Sequence, residues 1–598
     1  MIDLTKIFKL LFLLFTFQTS LFSNNNFTIQ ANELSQTKEW LRLLHFKNNE
    51  SEIDDKKFFF SSNGKSNPQA ELNALVDKLI LDKSNDENST QCRYPSRSQW
   101  ILQKLPKLKN QIFIPKCTKL KEELKELNAK YITLVLASAH MNSPASAFGH
   151  TFLRIDKDLN TPLLSYAINY AAQTAEDNGS IYAYQGLFGG YKGRYSIDPY
   201  YKKLKEYSNL EQRDVWEYRL NLTKEEIEKI VLHIFEIRHF YADYFFLTEN
   251  CSYNLLWLLE IAKPNIELVD RFNHKAIPID TLRAIFSENL VNESIYRPSK
   301  RKEILTLSQP ILNNTQALSF AKSTEHNLTA IKNLTKEEKI ASLELATALL
   351  QIDLADGKMA KKAYLPKFLK ILKERSKLGI KNKISTKIPF APTEGHLSSK
   401  ISLGLKNSER AELKFKVDYH DIYDNDKGYI SGAYINFLDT TLEYKNNKVI
   451  LEQINLLEIK SYAIQDAIFK PITWEVALGA KRISNNELNS YLKAGAGVTL
   501  GSKVFYGYAT ITPTIYYRED ETVAISLNSG LLFNPSKHLK VGLLHSTEWF
   551  RKNRKIQITE PFMTYNFNQE QAINFDYKKE TIDKEKEENF IISWFYYF

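Results

Sequence analysis

Two short stretches of this chain carry the groups for thiol chemistry. Thr248-Glu249-Asn250-Cys251-Ser252-Tyr253 reads as a helix start with a cysteine in its first turn. With Asn250 as N-cap, its side-chain oxygen takes a first-turn backbone N–H. The helix dipole and the remaining free N–H groups then favour negative charge on the sulfur. That lowers the thiol pKa, and the thiolate is the nucleophile. The same N–H groups can hold an oxyanion. Such a cysteine needs a base, and the base needs an orienting partner.

Phe148-Gly149-His150-Thr151-Phe152-Leu153-Arg154 supplies a histidine that leaves a glycine turn and opens a strand. His150 is the expected base, with His140 as its alternate. His233 and His239 fall on a helix and read as packing or surface residues. Asn169, polar in an otherwise apolar strand, is the expected orienting group; the competing reading is a satisfied buried amide. Glu249 could meet a substrate amine, and Arg154 a partner or an anionic head group. Tyr191 belongs to a Gly- and Tyr-rich loop, 182–195, that could line an acyl groove.

These groups need a scaffold. Strands are expected at 131–136, 151–156, 163–170 and 214–220. Thr223 and Glu226 form a capping box that opens a helix running to about residue 246. Residues 24–125 are mainly helical, with Leu72, Leu75, Val76 and Leu79 on one stripe. Cys92 and Cys117 lie in that segment and are expected to pair in an oxidising compartment. Cys251 is then the odd thiol, whose bland reading is a small buried hydrophobe.

At the start of the chain, Lys6 and Lys9 precede an apolar run that ends near small residues at 20–23. This is the pattern of a secretory signal peptide, 1–23. The run is shorter than the ~20 residues of a membrane-spanning helix. A chain of 598 residues implies several domains. The net charge of +10 comes mostly from scattered lysines, which reads as a solvated surface. No basic-aromatic module argues for nucleic acid. No metal-ligand spacing, Walker motif or dinucleotide fingerprint is present, so neither a metal nor a cofactor is expected.

Residues 126–300 thus form the α/β catalytic region, and 301–392 a helical linker domain with a second capping box at Thr335 and Glu338. From 393 to 598 the hydrophobic period changes to two. Glu412, Lys414, Lys416, Asp418 and His420 alternate with Ala411, Leu413, Phe415, Val417 and Tyr419. About twelve segments of ~10 residues match the strands of an antiparallel outer-membrane barrel. The aromatic stretch 589–598, ending in Phe598, resembles the C-terminal signal of such barrels.

The His150 and Cys251 motifs quoted above resemble the Lnb-type periplasmic domain, a bacterial lipoprotein N-acyltransferase family. Trp40-Leu41-Arg42-Leu43-Leu44-His45 and Phe58-Phe59-Phe60 resemble the segment that accompanies it. The order, histidine before cysteine, resembles circularly permuted papain-like folds. The resemblance covers roughly residues 30–300. The expected class is therefore α+β: a permuted papain-like catalytic domain behind a helical N-terminal region, plus a C-terminal β-barrel. What the resemblance implies is acyl transfer through a thioester on Cys251. A phospholipid would donate the acyl group and the α-amine of a diacylated lipoprotein would accept it. The alternatives are a cell-wall cysteine peptidase or amidase, and a non-enzymatic outer-membrane binding protein. The protein is expected to be exported, with its barrel in the outer membrane and its catalytic domain in the periplasm.

Overall fold

The computed structural model describes residues 32–139, 148–174, 179–380, 385–483, 487–517, 522–551 and 554–598. The expected signal peptide and His140 lie outside the described residues. The chain divides into two units at Ser299 and Lys300.

The first unit is built on an antiparallel sheet. In chain order its strands are β1 (Tyr131–Ala137), β2 (His150–Asp156), β3 (Tyr166–Gln173), β4 (Tyr191–Pro199), β5 (Val215–Leu220), β6 (Ala242–Tyr244) and β7 (Val291–Arg297). Their spatial order is β6-β4-β3-β2-β1-β5-β7. The central strands β1 and β2 are buried along nearly their whole length; β1 reads as a nearly continuous apolar run, whereas β2 carries Thr151, Arg154 and Asp156 as buried polar residues.

Three boundaries differ from the sequence reading. β3 begins at Tyr166 because Pro162 opens a tight turn over Pro162–Leu164. The expected loop at 182–195 is instead a helix, α2 (Gly179–Leu187), followed by β4; α1 is Lys38–Leu43. The capped helix, α3 (Lys224–Ile237), stops short of 246. The residues after it include β6, which is held by pairing with β4 through Tyr191 and Tyr244.

Against the sheet lies α4 (Cys251–Ala262), whose residues are all buried. It is largely apolar, with Ser252, Asn254 and Glu260 as buried polar exceptions, and is enclosed on every face. The N-terminal region belongs to the same unit and braces this helix. Arg42 pairs with Glu260 at 2.5 Å. Glu52 accepts hydrogen bonds from Tyr253 Oη at 2.6 Å and Trp257 Nε1 at 2.8 Å. Cys92 and Cys117 form a disulfide with their Cα atoms 5.3 Å apart.

In the second unit, helices that include Lys336–Ala355 and Lys361–Ser376 share a core with Ile468 and Phe469. After them, twelve strands close into an antiparallel barrel, the first (Lys400–Lys406) pairing with the last (Glu585–Tyr597). On the last strand Phe590, Ile592 and Trp594 face outward, while Ser593, Phe595 and Tyr597 are buried inside. This gives the apolar-out, polar-in alternation of a transmembrane barrel. Among the described residues no helix is long and apolar enough to cross a membrane.

One end of the lumen is filled by the segment that follows Asp418–His420. Lys400 and Lys416 bind Asp424 at 2.7 and 3.0 Å, and Lys540 binds Asp426 at 2.7 Å. Asp421 also pairs with Lys400, at 2.6 Å. Here the structure brings His396, His420 and Asp424 within 4.8 Å of one another, a grouping their sequence spacing does not announce. The ammonium groups of Lys400 and Lys416 occupy both Asp424 oxygens, so the carboxylate already has its counter-charges.

A second buried network tests the packing of the first unit. Arg97 binds Glu71 at 2.9 Å and Glu236 at 2.5 Å, all three side chains being fully enclosed. Replacing Arg97 by Leu leaves two enclosed carboxylates with backbone N–H donors but without a counter-charge. The expected loss is about 3–5 kcal/mol of stability. Urea unfolding of the full-length protein, followed by tryptophan fluorescence, measures it.

Candidate active site

The β2–β3 ladder has three pairs, Leu153 with Ile168, Arg154 with Ala167, and Ile155 with Tyr166. Beyond Leu153 and Ile168 the two strands part. His150 and Thr151 stand on one lip of the resulting slot and Asn169 on the other, and the N-terminus of α4 meets them there.

Backbone geometry delivers each group. Gly149 has φ +98°, and a Cβ there would come within 3.0 Å of the Ala137 carbonyl oxygen. Glycine is therefore required for the turn that presents His150. The Arg213 guanidinium fixes the facing strand end by donating to the Ser138 and Ala137 carbonyls at 2.6 and 3.0 Å. The Tyr207 ring lies 5.4 Å from the imidazole. On the other side, Asn250 caps α4, its Oδ1 accepting from the N–H groups of Ser252 at 3.0 Å and Tyr253 at 3.3 Å. Its Nδ2 donates to the carbonyls of Phe246 and Ala276 at 2.9 and 2.6 Å. Every polar atom of this cap is thus engaged, and Cys251 is locked in the first turn.

His150 Nε2–H donates to Asn169 Oδ1 at 2.6 Å. That leaves Nδ1 for its hydrogen bond to Cys251. Cys251 is the free cysteine and is 4% exposed. Burial works against charge on the sulfur, but the neighbouring imidazole outweighs it, with help from the Thr151 N–H and hydroxyl, and the thiol is lowered. Among the described residues the Thr151 hydroxyl is buried with no hydrogen-bond partner. The same coupling acts on the base. Burial opposes the imidazolium, yet the Cys251 charge and the bonds to Cys251 and Asn169 raise His150. Each charge thus stabilises the other, which favours the thiolate–imidazolium form of the pair.

The other candidate residues take different places. Arg154 is 3% exposed and pairs with Asp156 and Glu217, each at 2.7 Å, below the Tyr200 ring. The expectation that it contacts substrate is corrected: its guanidinium is saturated by carboxylates inside the core. Tyr191 is buried at the sheet edge and does not stand in an open loop. Glu249 is pushed up to about 7 by burial and by the charges of Glu52 and Asp54. His233 is enclosed against His45, their Nε2 atoms 2.9 Å apart, and burial holds both rings neutral. His239 lies beside Arg238, away from the sulfur. Sequence reasoning missed Thr151, Tyr207, Arg213 and Tyr244. Of these only Thr151, adjacent to His150, carried a local signal.

The arrangement is that of a buried cysteine–histidine–asparagine site within a unit joined to a transmembrane barrel. Residues 119–288 match the Lnb N-terminal periplasmic domain. Residues 32–104 and 389–597 match two further families, each described as a domain of unknown function (DUF7843 and DUF7840). No curated protein matches the chain. Among solved structures, the barrel region is similar to the NanC porin, at 8% identity and a TM-score of 0.25 over 34% of this chain and 100% of that one. The KdgM porin in complex with disordered oligogalacturonate gives 6%, 0.23, 34% and 99% in the same order. The COG4313 outer membrane channel from Pseudomonas putida F1 gives 8%, 0.24, 34% and 96%. With its periplasmic domain and its closed barrel, the chain is an exported outer-membrane protein.

The ion pair makes a pH prediction. The thiol is lowered to about 7 by His150, so thiolate forms across neutral pH and is lost as pH falls below that value. His150 is raised, so its positive charge persists until pH rises through its own pKa. In His150→Ala the thiol returns toward its ordinary ~8.5, and alkylation by iodoacetamide at pH 7 slows by roughly 10-fold. Asn169→Ala, which frees the imidazole to turn, moves the same profile in the same direction by less. Rates of Cys251 carbamidomethylation across pH, read by intact mass, check both.

Proposed function

We propose that this protein is a cysteine acyltransferase that moves a fatty acyl group from phospholipid to the N-terminal amine of bacterial lipoproteins. The observation that carries this reading is the meeting of Cys251, His150 and Asn169 at the capped end of α4. The match to the Lnb periplasmic domain supports it.

In the first half-reaction the Cys251 thiolate attacks the ester carbonyl carbon of the donor. A C–S bond forms and the carbonyl π pair moves to oxygen. As the C–O bond breaks, His150 gives its Nδ1 proton to the departing alkoxide, leaving S-acyl Cys251 and a lysophospholipid. In the second half, the neutral acceptor amine attacks the thioester. The C–N bond forms, the C–S bond breaks, and His150 takes the amine proton, so that the sulfur leaves as the thiolate and the starting thiolate–imidazolium pair is restored. Glu249, held near neutrality, is the candidate to take the additional proton that an incoming ammonium must lose. Asn169 keeps the imidazole in the tautomer that both halves require. The barrel keeps this chemistry beside a membrane that supplies the donor lipid and the lipoprotein acceptors. No resident cofactor enters either half-reaction.

Intact mass after incubation with phospholipid vesicles tests the reading. Wild type is expected to gain one fatty-acyl mass that hydroxylamine removes, and Cys251→Ala to gain none. Wild type without an adduct, with digestion of peptidoglycan, would move the assignment to a cell-wall peptidase.

A further inference from the structure

The first turn of α4 contains one donor that Asn250 does not take. Asn250 Oδ1 engages the N–H groups of Ser252 and Tyr253. The Cys251 N–H points instead at the Tyr244 hydroxyl oxygen, 3.3 Å away. This is a long contact, near the limit of an N–H···O bond, and one that an arriving anion can displace or share.

Tyr244 is the last residue of β6, and its backbone is paired with Tyr191. Its ring stacks on Tyr170 at 5.8 Å and meets Phe246 edge-on at 5.9 Å. Gly186 of α2 packs directly against the Phe246 ring, where a Cβ would collide with it. The tyrosine is 9% exposed, so its hydroxyl is held at one position beside the nucleophile.

We infer that Tyr244 is the second donor of an oxyanion pocket, acting with the Cys251 N–H. The inference rests on the thioester chemistry proposed above. When Sγ bonds to the acyl carbon, the former carbonyl oxygen takes a full negative charge. An oxygen at ~2.7–3.1 Å from both donors would satisfy that charge, and donors 3.3 Å apart can converge on such a point. The hydroxyl, which accepts in the resting site, rotates to donate. Collapse of the oxyanion then expels the alkoxide, protonated by His150, and the hydroxyl returns to the Cys251 N–H. Thr151 has a different task. Its N–H and, to a lesser degree, its hydroxyl help lower the thiol and so affect formation of the thiolate, before any oxyanion exists.

Two reactions of the same sulfur separate these roles. Acylation by p-nitrophenyl butyrate passes through an oxyanion; alkylation by iodoacetamide does not. In full-length protein in detergent, Tyr244→Phe is expected to slow the acylation burst by roughly 100-fold and to leave alkylation unchanged. Thr151→Val is expected to slow both. As a second variant that preserves shape, 3-fluorotyrosine at position 244, a stronger donor, is expected to speed acylation at pH 6.5 without moving alkylation. The assignment is overturned if Tyr244→Phe acylates at the wild-type rate, or if its acylation and alkylation fall together while 3-fluorotyrosine has no effect. A wild type that alkylates at Cys251 yet never acylates removes the thioester reading, and this assignment with it.

Discussion

A thiol enclosed by protein and yet drawn toward its charged form is the constraint on which the first unit depends. Cys251 is almost completely removed from solvent, and its helix is buried along its full length. Burial alone would hold the thiol protonated. The site overcomes this with a cation at Nδ1, a capped helix terminus and the polar groups of Thr151. Each of these must be fixed, because a group that could swing away would leave the charge uncompensated. The glycine turn at 149, the Arg213 tether and the Asn250 cap are therefore parts of the electrostatics as much as of the fold.

The N-terminal region follows from the same constraint. A helix buried on every face must be covered on every side, and the sheet covers only part of α4. Residues from Lys38 to Glu52 cover the side turned away from Cys251. Arg42 and Glu52 engage the polar atoms of Glu260, Tyr253 and Trp257, and the His45 ring lies on Trp257 at 4.9 Å. Glu260 Oε1 in turn accepts from the N–H groups of Leu268 and Val269 at 2.6 and 2.7 Å, anchoring the chain that leaves the helix. The histidine pair of His45 and His233 belongs to this brace. Its rings are kept neutral and serve as packing surfaces with one internal hydrogen bond.

What could be read from the sequence was what is local. The N-cap at Asn250, the glycine before His150 and the period-two alternation around Glu412 are each decided within a few residues. In the structure Glu412, Lys416 and His420 are buried while Leu413 and Phe415 are exposed. Arg154 was read wrongly because a charged residue on a strand says nothing of Glu217, which reaches it from β5. The stretch 182–195 was taken for a loop because glycines read as turns. Gly186 and Gly189 instead allow α2 and its exit to lie against the Phe246 and Phe245 rings. Tyr244 could not be found at all from the sequence. Its importance comes from pairing with Tyr191 and from the position of the next helix, and both are tertiary facts.

The filled end of the barrel has a consequence for the cell envelope. Lys400, Lys416 and Lys540 are matched by Asp421, Asp424 and Asp426, so the ions there balance locally. Ile422 beside them packs with Tyr434, Tyr462, Tyr506, Leu532 and Phe562, side chains from strands around the lumen. A solute entering this lumen would have to separate close ion pairs and displace an aromatic cluster. A barrel stoppered in this way fastens a protein to the outer membrane without opening a leak. Many copies could stand in that membrane and leave its barrier to antibiotics and bile salts as it was.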